Sequence, residues 1–136
     1  VLLGLFLLCL LSFSCANLKS SHQPTTKTTE LPAITRACFD YAEGFFEADI
    51  TRLRKALHPE LIKRTVKEGS LSELSRKKLI GIARAEKREK LEISVKVLDI
   101  HKNIATAKIT SGFIDYVQLA KMNKKWRIVN VLWTVK

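Results

Sequence analysis

The chain has 136 residues, 46% of them hydrophobic, and a formal net charge of +11, which gives room for one domain around an ordinary core and not for two. Much of the apolar content lies in residues 1–11, a run without a single charge, so it is judged apart from the fold. Cysteine usage excludes a disulfide scaffold: Cys9 and Cys15 lie in the opening segment, Cys38 stands alone further on, and no Cys/His spacing suits a metal.

The opening VLLGLFLLCLLSFSCA has the shape of an export signal's apolar core, ~7–15 residues followed by small ones. It is shorter than the about 20 apolar residues a membrane span takes. Three readings of its end stay open. In Leu10-Leu11-Ser12-Phe13-Ser14-Cys15 a Cys follows a small residue and an apolar run, resembling a bacterial lipobox with Cys15 lipidated, although Ser12 stands where Leu is commonest. Ser14-Cys15-Ala16 also offers small residues to ordinary signal peptidase, and a buried or interfacial helix is the third reading. The first is our expectation: residues 1–15 are signal and lipobox, and the protein is exported, periplasmic or held at a membrane by its lipid.

Residues 16–32, rich in Ser, Thr, Gln and Lys with two prolines, read as a flexible tether, and the domain is expected over 33–136. From Ile34 the pattern changes: Ile34, Cys38, Tyr41, Phe45 and Ala48 recur at spacings of four and three, which predicts an amphipathic helix. Cys38 on this stripe reads as a small buried hydrophobe. Asp49 can cap a second short helix carrying Ile50, Leu53 and Leu57, which Pro59 ends just after His58. Residues 61–67 read as a turn and an edge strand. Ser70 and Glu73 offer a capping box for a third helix to about Lys87, with Leu74, Leu79, Ile82 and Ala83 buried.

After Lys90 the period becomes two. Ile93, Val95 and Val97 alternate with polar neighbours, and strands follow at 104–109, 113–122 and 126–135, their short connections requiring antiparallel pairing. Helices first and a meander afterwards predict an α+β layer packing, three N-terminal helices on a curved antiparallel sheet. In the last strand Trp126, Ile128 and Leu132 alternate with Val129, Val131 and Trp133, so both faces look covered, and a homodimer through the outer face is the simplest cover. Trp126 and Trp133, seven apart, are expected on opposite faces. The basic residues are spread along the domain, densest at 76–90 on a helix's polar face. For an exported protein this reads as a solvated or membrane-facing surface, with no nucleic-acid partner.

The run from Asp115-Tyr116-Val117-Gln118 through Asn123-Lys124-Lys125-Trp126 to Val131-Leu132-Trp133 resembles the C-terminal signature of the putative lumazine-binding family, within the nuclear-transport-factor-two-like superfamily. Upstream, Asp40-Tyr41-Ala42-Glu43-Gly44-Phe45-Phe46 and Leu57-His58-Pro59-Glu60 resemble the family's first helices. The resemblance covers nearly the whole domain. It departs at Lys124, where the family turn has Gly, so a distorted hairpin is expected with Asn123 supplying the positive φ. It implies a cystatin-like cone of three helices across a strongly bent sheet, with a cavity at the wide end where many relatives bind small molecules. It carries over no catalytic residue, cofactor or metal.

Polar or amphipathic groups on apolar elements are the natural pocket candidates, since each costs about 1–3 kcal/mol if buried unpartnered. These are Tyr41, His58, Asp115, Tyr116 and Asn130, with Phe45, Trp126 and Trp133 as aromatic neighbours. His58 is expected to brace a helix end, with a base or ligand contact as its alternative. Asp115 beside Tyr116 has the composition of the acid and phenol pair that some isomerases of the superfamily use, yet adjacent strand residues point to opposite faces. The expected function is binding of a small aromatic or apolar ligand. A small isomerase, dehydratase or cyclase with Asp115 or His58 as base, and a ligand-free dimeric interaction module, are the alternatives.

Overall fold

The computed structural model describes residues 25–89 and 91–136, with side chains from Thr29 onward. The signal, lipobox and first part of the tether lie outside the described residues. Three helices, α1 (Thr25–Glu47), α2 (Ile50–Ala56) and α3 (Arg76–Ala85), pack on one face of a curled mixed six-stranded sheet. Its strands are β1 (Leu57–Lys67), β2 (Ser70–Ser75), β3 (Ser94–His101), β4 (Ile104–Thr110), β5 (Phe113–Met122) and β6 (Lys125–Val135), in the order β2-β1-β6-β5-β4-β3. The α+β cone of three helices on a curved sheet is as expected from the sequence, although the β1–β2 hairpin stands between α2 and α3 and the helices do not all precede the sheet. Ile34, Cys38, Leu53, Leu57, Leu61, Leu79, Ile109, Val117, Leu119 and Ile128 form its core between the layers.

Helix α1 begins at Thr25, ahead of the apolar stripe at Ile34, and carries Pro32 inside it at the loss of one backbone bond. Its N-terminal part is tied to the sheet by Glu30, whose carboxylate accepts from Trp126 Nε1 at 2.6 Å and from Lys121 Nζ. Gly44 lets α1 and α2 meet: a Cβ there would lie 3.1 Å from the Leu53 backbone N and 3.2 Å from the Asp49 carbonyl oxygen. Asp49 caps α2, accepting from the Arg52 backbone N–H at 3.0 Å. Arg52 then bridges back to Asp40, Glu43 and Glu47 on α1.

Five expectations are corrected. First, the sheet is not wholly antiparallel, because β1 pairs parallel with β6, Lys63 lying opposite Val131. Residues 57–67 are therefore an inner strand and not an edge, which is β2. Second, α2 stops at Ala56, so His58 and Pro59 sit in β1. The proline is tolerated there because the ladder with β6 is interrupted between Leu57 and Ile62, where its missing N–H costs no bond. Third, the Ser70/Glu73 capping box does not form: 70–75 pairs with β1 as a hairpin strand, and Ser75 caps α3 instead, accepting from the Lys78 N–H.

The fourth concerns β6. Against β5, Gln118 pairs with Asn130 but Leu119 pairs with Ile128, so Val129 is an extra residue, a β-bulge. The bulge shifts the alternation by one. Trp126 and Ile128 before it and Val131 and Trp133 after it therefore all face the helices, and the two tryptophans share a face. The doubly apolar pattern comes from this shift, so it is no evidence for a second cover. Fifth, at the β5–β6 turn both Asn123 (φ 49°) and Lys124 (φ 62°) are left-handed, and pairing is regular up to Met122↔Lys125. That is the geometry of a two-residue I′ hairpin, undistorted despite the missing glycine.

Candidate functional site

A cavity of about 170 Å³ lies between α1, α3 and the concave face of the sheet. Helix α1 contributes Tyr41, Ala42, Phe45 and Phe46, and β2 and α3 contribute Leu74, Leu79 and Ile82. Phe113 and Trp133 complete the aromatic wall, Ser111 is a buried hydroxyl beside them, and Lys63 and Asp115 are the charged members. Phe46 and Phe113 stack at 6.4 Å and 17°, while Phe113 meets Trp133 edge-on at 5.3 Å and 87°. These rings follow from alternation on β5 and β6 and from the 3.6-residue period of α1.

The polar floor is a closed triangle. Lys63 Nζ donates to Asp115 Oδ1 and to the Tyr41 hydroxyl oxygen, each at 2.6 Å, and the Tyr41 O–H donates to the same Asp115 oxygen at 3.4 Å. Lys63 and Asp115 are 7% and 4% exposed, so this is a buried ion pair. The ammonium also lies 4.8 Å from the centre of the Trp133 ring, within cation–π range. Burial lowers the Lys63 pKa below its ordinary 10.5, opposed by the Asp115 charge. Burial, and then that same carboxylate, hold the Tyr41 phenol well above its ordinary value, so it stays a hydrogen-bond donor. Next to it the Cys38 thiol is pushed up by burial to about 12, the behaviour of a packed hydrophobe rather than a nucleophile.

Of the residues singled out from the sequence, Tyr41, Phe45, Asp115 and Trp133 line this cavity. The others do not. Tyr116, 51% exposed, and Asn130, which donates to Gln118 Oε1 at 3.1 Å, lie on the outer face of the sheet. Trp126 is buried against Glu30 at the far end of α1. His58 accepts the Glu60 backbone N–H at 3.2 Å on β1, a strand position and not a helix end. Lys63 is the residue that sequence reasoning missed. Its signal was the alternation Leu61-x-Lys63, which places a lysine on an inward position, but reading 61–67 as an edge strand hid it. Two larger depressions, of about 290 and 590 Å³, lie on the outer face of the sheet, and no buried charged residue lines either one.

The family described as putative lumazine-binding matches residues 29–134, whereas comparison with curated proteins finds no match. Among solved structures, the chain is similar to an NTF2-like protein of unknown function from Silicibacter pomeroyi: TM-score 0.73, 18% identity, covering 82% of this chain and 99% of that one. An NTF2-like protein from Shewanella baltica is similar at TM-score 0.72 and 24% identity, covering 82% and 98%. A ketosteroid isomerase-like protein from Erwinia carotovora atroseptica is similar at TM-score 0.61 and 13% identity, covering 78% and 95%. At these identities the structural likenesses establish the fold, and the family match runs from Thr29 on α1 to Thr134 on β6. The chain belongs to the putative lumazine-binding family.

Proposed function

We propose that the chain binds a small, uncharged, partly aromatic molecule in the cavity, its one polar end against Lys63, Tyr41 and Asp115. The observation that carries this reading is a buried, mutually neutralising ion pair at the floor of an otherwise apolar, aromatic-walled space. A charged ligand would leave an unbalanced charge among apolar groups, at a cost of several kcal/mol. A neutral one fills the cavity and meets donors and an acceptor already in place. At about 170 Å³ the space is close to that of the ~150 Å³ apolar cavity known to hold a benzene ring. Binding is favoured over proton transfer, because Asp115 Oδ1 already accepts from the Lys63 ammonium and the Tyr41 phenol, so it is not open to take a proton from a substrate. His58 and Tyr116 do not line the cavity.

Thermal melts with a panel of single-ring heteroaromatic, pterin-like and flavin-like compounds test this reading. A true ligand at a hundred times its Kd adds about 2.7 kcal/mol by mass action, and Ala42→Leu, which fills the cavity, abolishes the gain. No stabilisation by any of these compounds contradicts it.

The export and lipid-anchor reading is part of the proposal and rests on residues 1–15 alone; Cys15→Ser is expected to move the protein from membrane to soluble fractions. A second copy of the chain on the outer face of the sheet is supported by the exposure of Leu98 (47%), Tyr116 (51%) and Leu132 (52%) there. Sedimentation of Tyr116→Lys is then expected to show monomer where the parent chain shows dimer.

A further inference from the structure

On the opposite side of α3 from the cavity, a groove of about 420 Å³ runs between α2, the start of β1 and α3. Arg54, Arg76, Lys77 and Arg84 line it, with Pro59 and Ile80 as apolar floor, and no carboxylate is among the lining residues. It shares no residue with the apolar cavity. The Arg76 guanidinium is half in use: Nη2 donates to the Arg54 carbonyl at 3.1 Å, capping the C-terminus of α2. Its Nε is buried with no acceptor, the single buried side-chain donor or acceptor so placed among the described residues. Burial, and then the like charges of Arg54 and Arg127, lower the Arg76 pKa. Arg76, Lys77 and Lys78 also open α3 with no acidic residue in its first turn, so they face the positive end of the helix dipole.

This groove concentrates like charge on two helices, and a bound anion relieves that repulsion. We propose that it is an anion site for a phosphate-type group carrying two or more negative charges, either on a soluble molecule or as a lipid headgroup. Arg54 and Arg84 reach the anion from α2 and α3, with Lys77 beside them, all three exposed.

The test uses inorganic pyrophosphate and, separately, vesicles of phosphatidylglycerol in phosphatidylcholine, both against sodium chloride at matched ionic strength. Pyrophosphate is expected to shift the Arg54 and Arg84 Nε–Hε resonances and to raise the melting temperature. The double variant Arg54→Ala/Arg84→Ala weakens this binding by roughly tenfold or more, the equivalent of losing one charge-assisted hydrogen bond. Lys67→Ala/Lys96→Ala, which removes the same net charge elsewhere, leaves it unchanged. Vesicle binding with the same dependence, displaced by free pyrophosphate, assigns the headgroup as the source; pyrophosphate binding alone assigns a soluble ligand. The proposal is overturned if neither probe binds beyond chloride, or if both double variants weaken binding equally.

Discussion

The Lys63 ammonium on β1 lies 2.6 Å from the Asp115 carboxylate on β5, although β6 runs between the two strands. The pair forms because the sheet curls and because Lys63 and Asp115 occupy inward positions opposite Val131 and Trp133 of the intervening strand. Trp133 thus lies beneath the ammonium, and the salt bridge closes over an aromatic ring.

Removing one partner of this pair leaves a buried unpaired charge. Lys63→Met is expected to destabilise the fold by about 3–5 kcal/mol, whereas Lys63→Met with Asp115→Leu recovers most of the loss. Urea denaturation of the parent, the two single variants and the double variant measures both, and near-additive losses would contradict the pairing.

Cys38 supplies a pH dependence of known sign. Burial pushes the folded thiol up from the ordinary 9.0 to about 12, so between those values the native state holds the extra proton. Stability contributed by the thiol is complete below pH 9 and is lost as pH rises towards 12, by up to about 1.4 kcal/mol per pH unit. Cys38→Ala is expected to flatten the fall in unfolding free energy over that range. An unchanged slope would refute it.

Glu30 acts in the other direction. Hydrogen bonds from Lys121 and then Trp126 hold its carboxyl below the ordinary 4.5, so the stability it supplies is present above that value and lost as pH falls through the folded one. Glu30→Gln is expected to bring acid unfolding of the parent and the variant closer together at low pH, with limited proteolysis near residue 30 quickened at neutral pH.

The β5–β6 turn offers a stabilising change. Lys124 holds φ at 62°, a conformation costing a side-chain-bearing residue about 1–2 kcal/mol. After the entropy glycine adds to the unfolded chain, Lys124→Gly is expected to gain roughly 0.5–1 kcal/mol, read as a higher melting temperature. Gly44→Ala has the opposite sign: it pushes against Leu53 and Asp49 backbone atoms at 3.1 and 3.2 Å and is expected to cost about 1–3 kcal/mol.

Local periodicity made helix α1 and the strands of 94–135 legible, because one face of each is apolar and their connections are short. It also placed Asp115 and Tyr116 on opposite faces, and they are so placed. Pairing between elements far apart in sequence was not legible. The parallel β1–β6 ladder depends on a crossover with no local signature, and without it the alternation Leu61-x-Lys63 read as an edge strand and not as an inner one. The Val129 bulge is likewise a property of two paired strands; one strand read alone put Trp126 and Trp133 on opposite faces and implied a covered outer surface.

The most direct test is a crystal structure of the protein purified from its native host, inspected between Lys63, Tyr41 and Trp133. A small planar non-protein molecule within hydrogen-bond reach of Lys63 Nζ is the predicted result. A space closed by the side chains of Phe45, Phe46 and Phe113, or one that holds only water, would contradict the account.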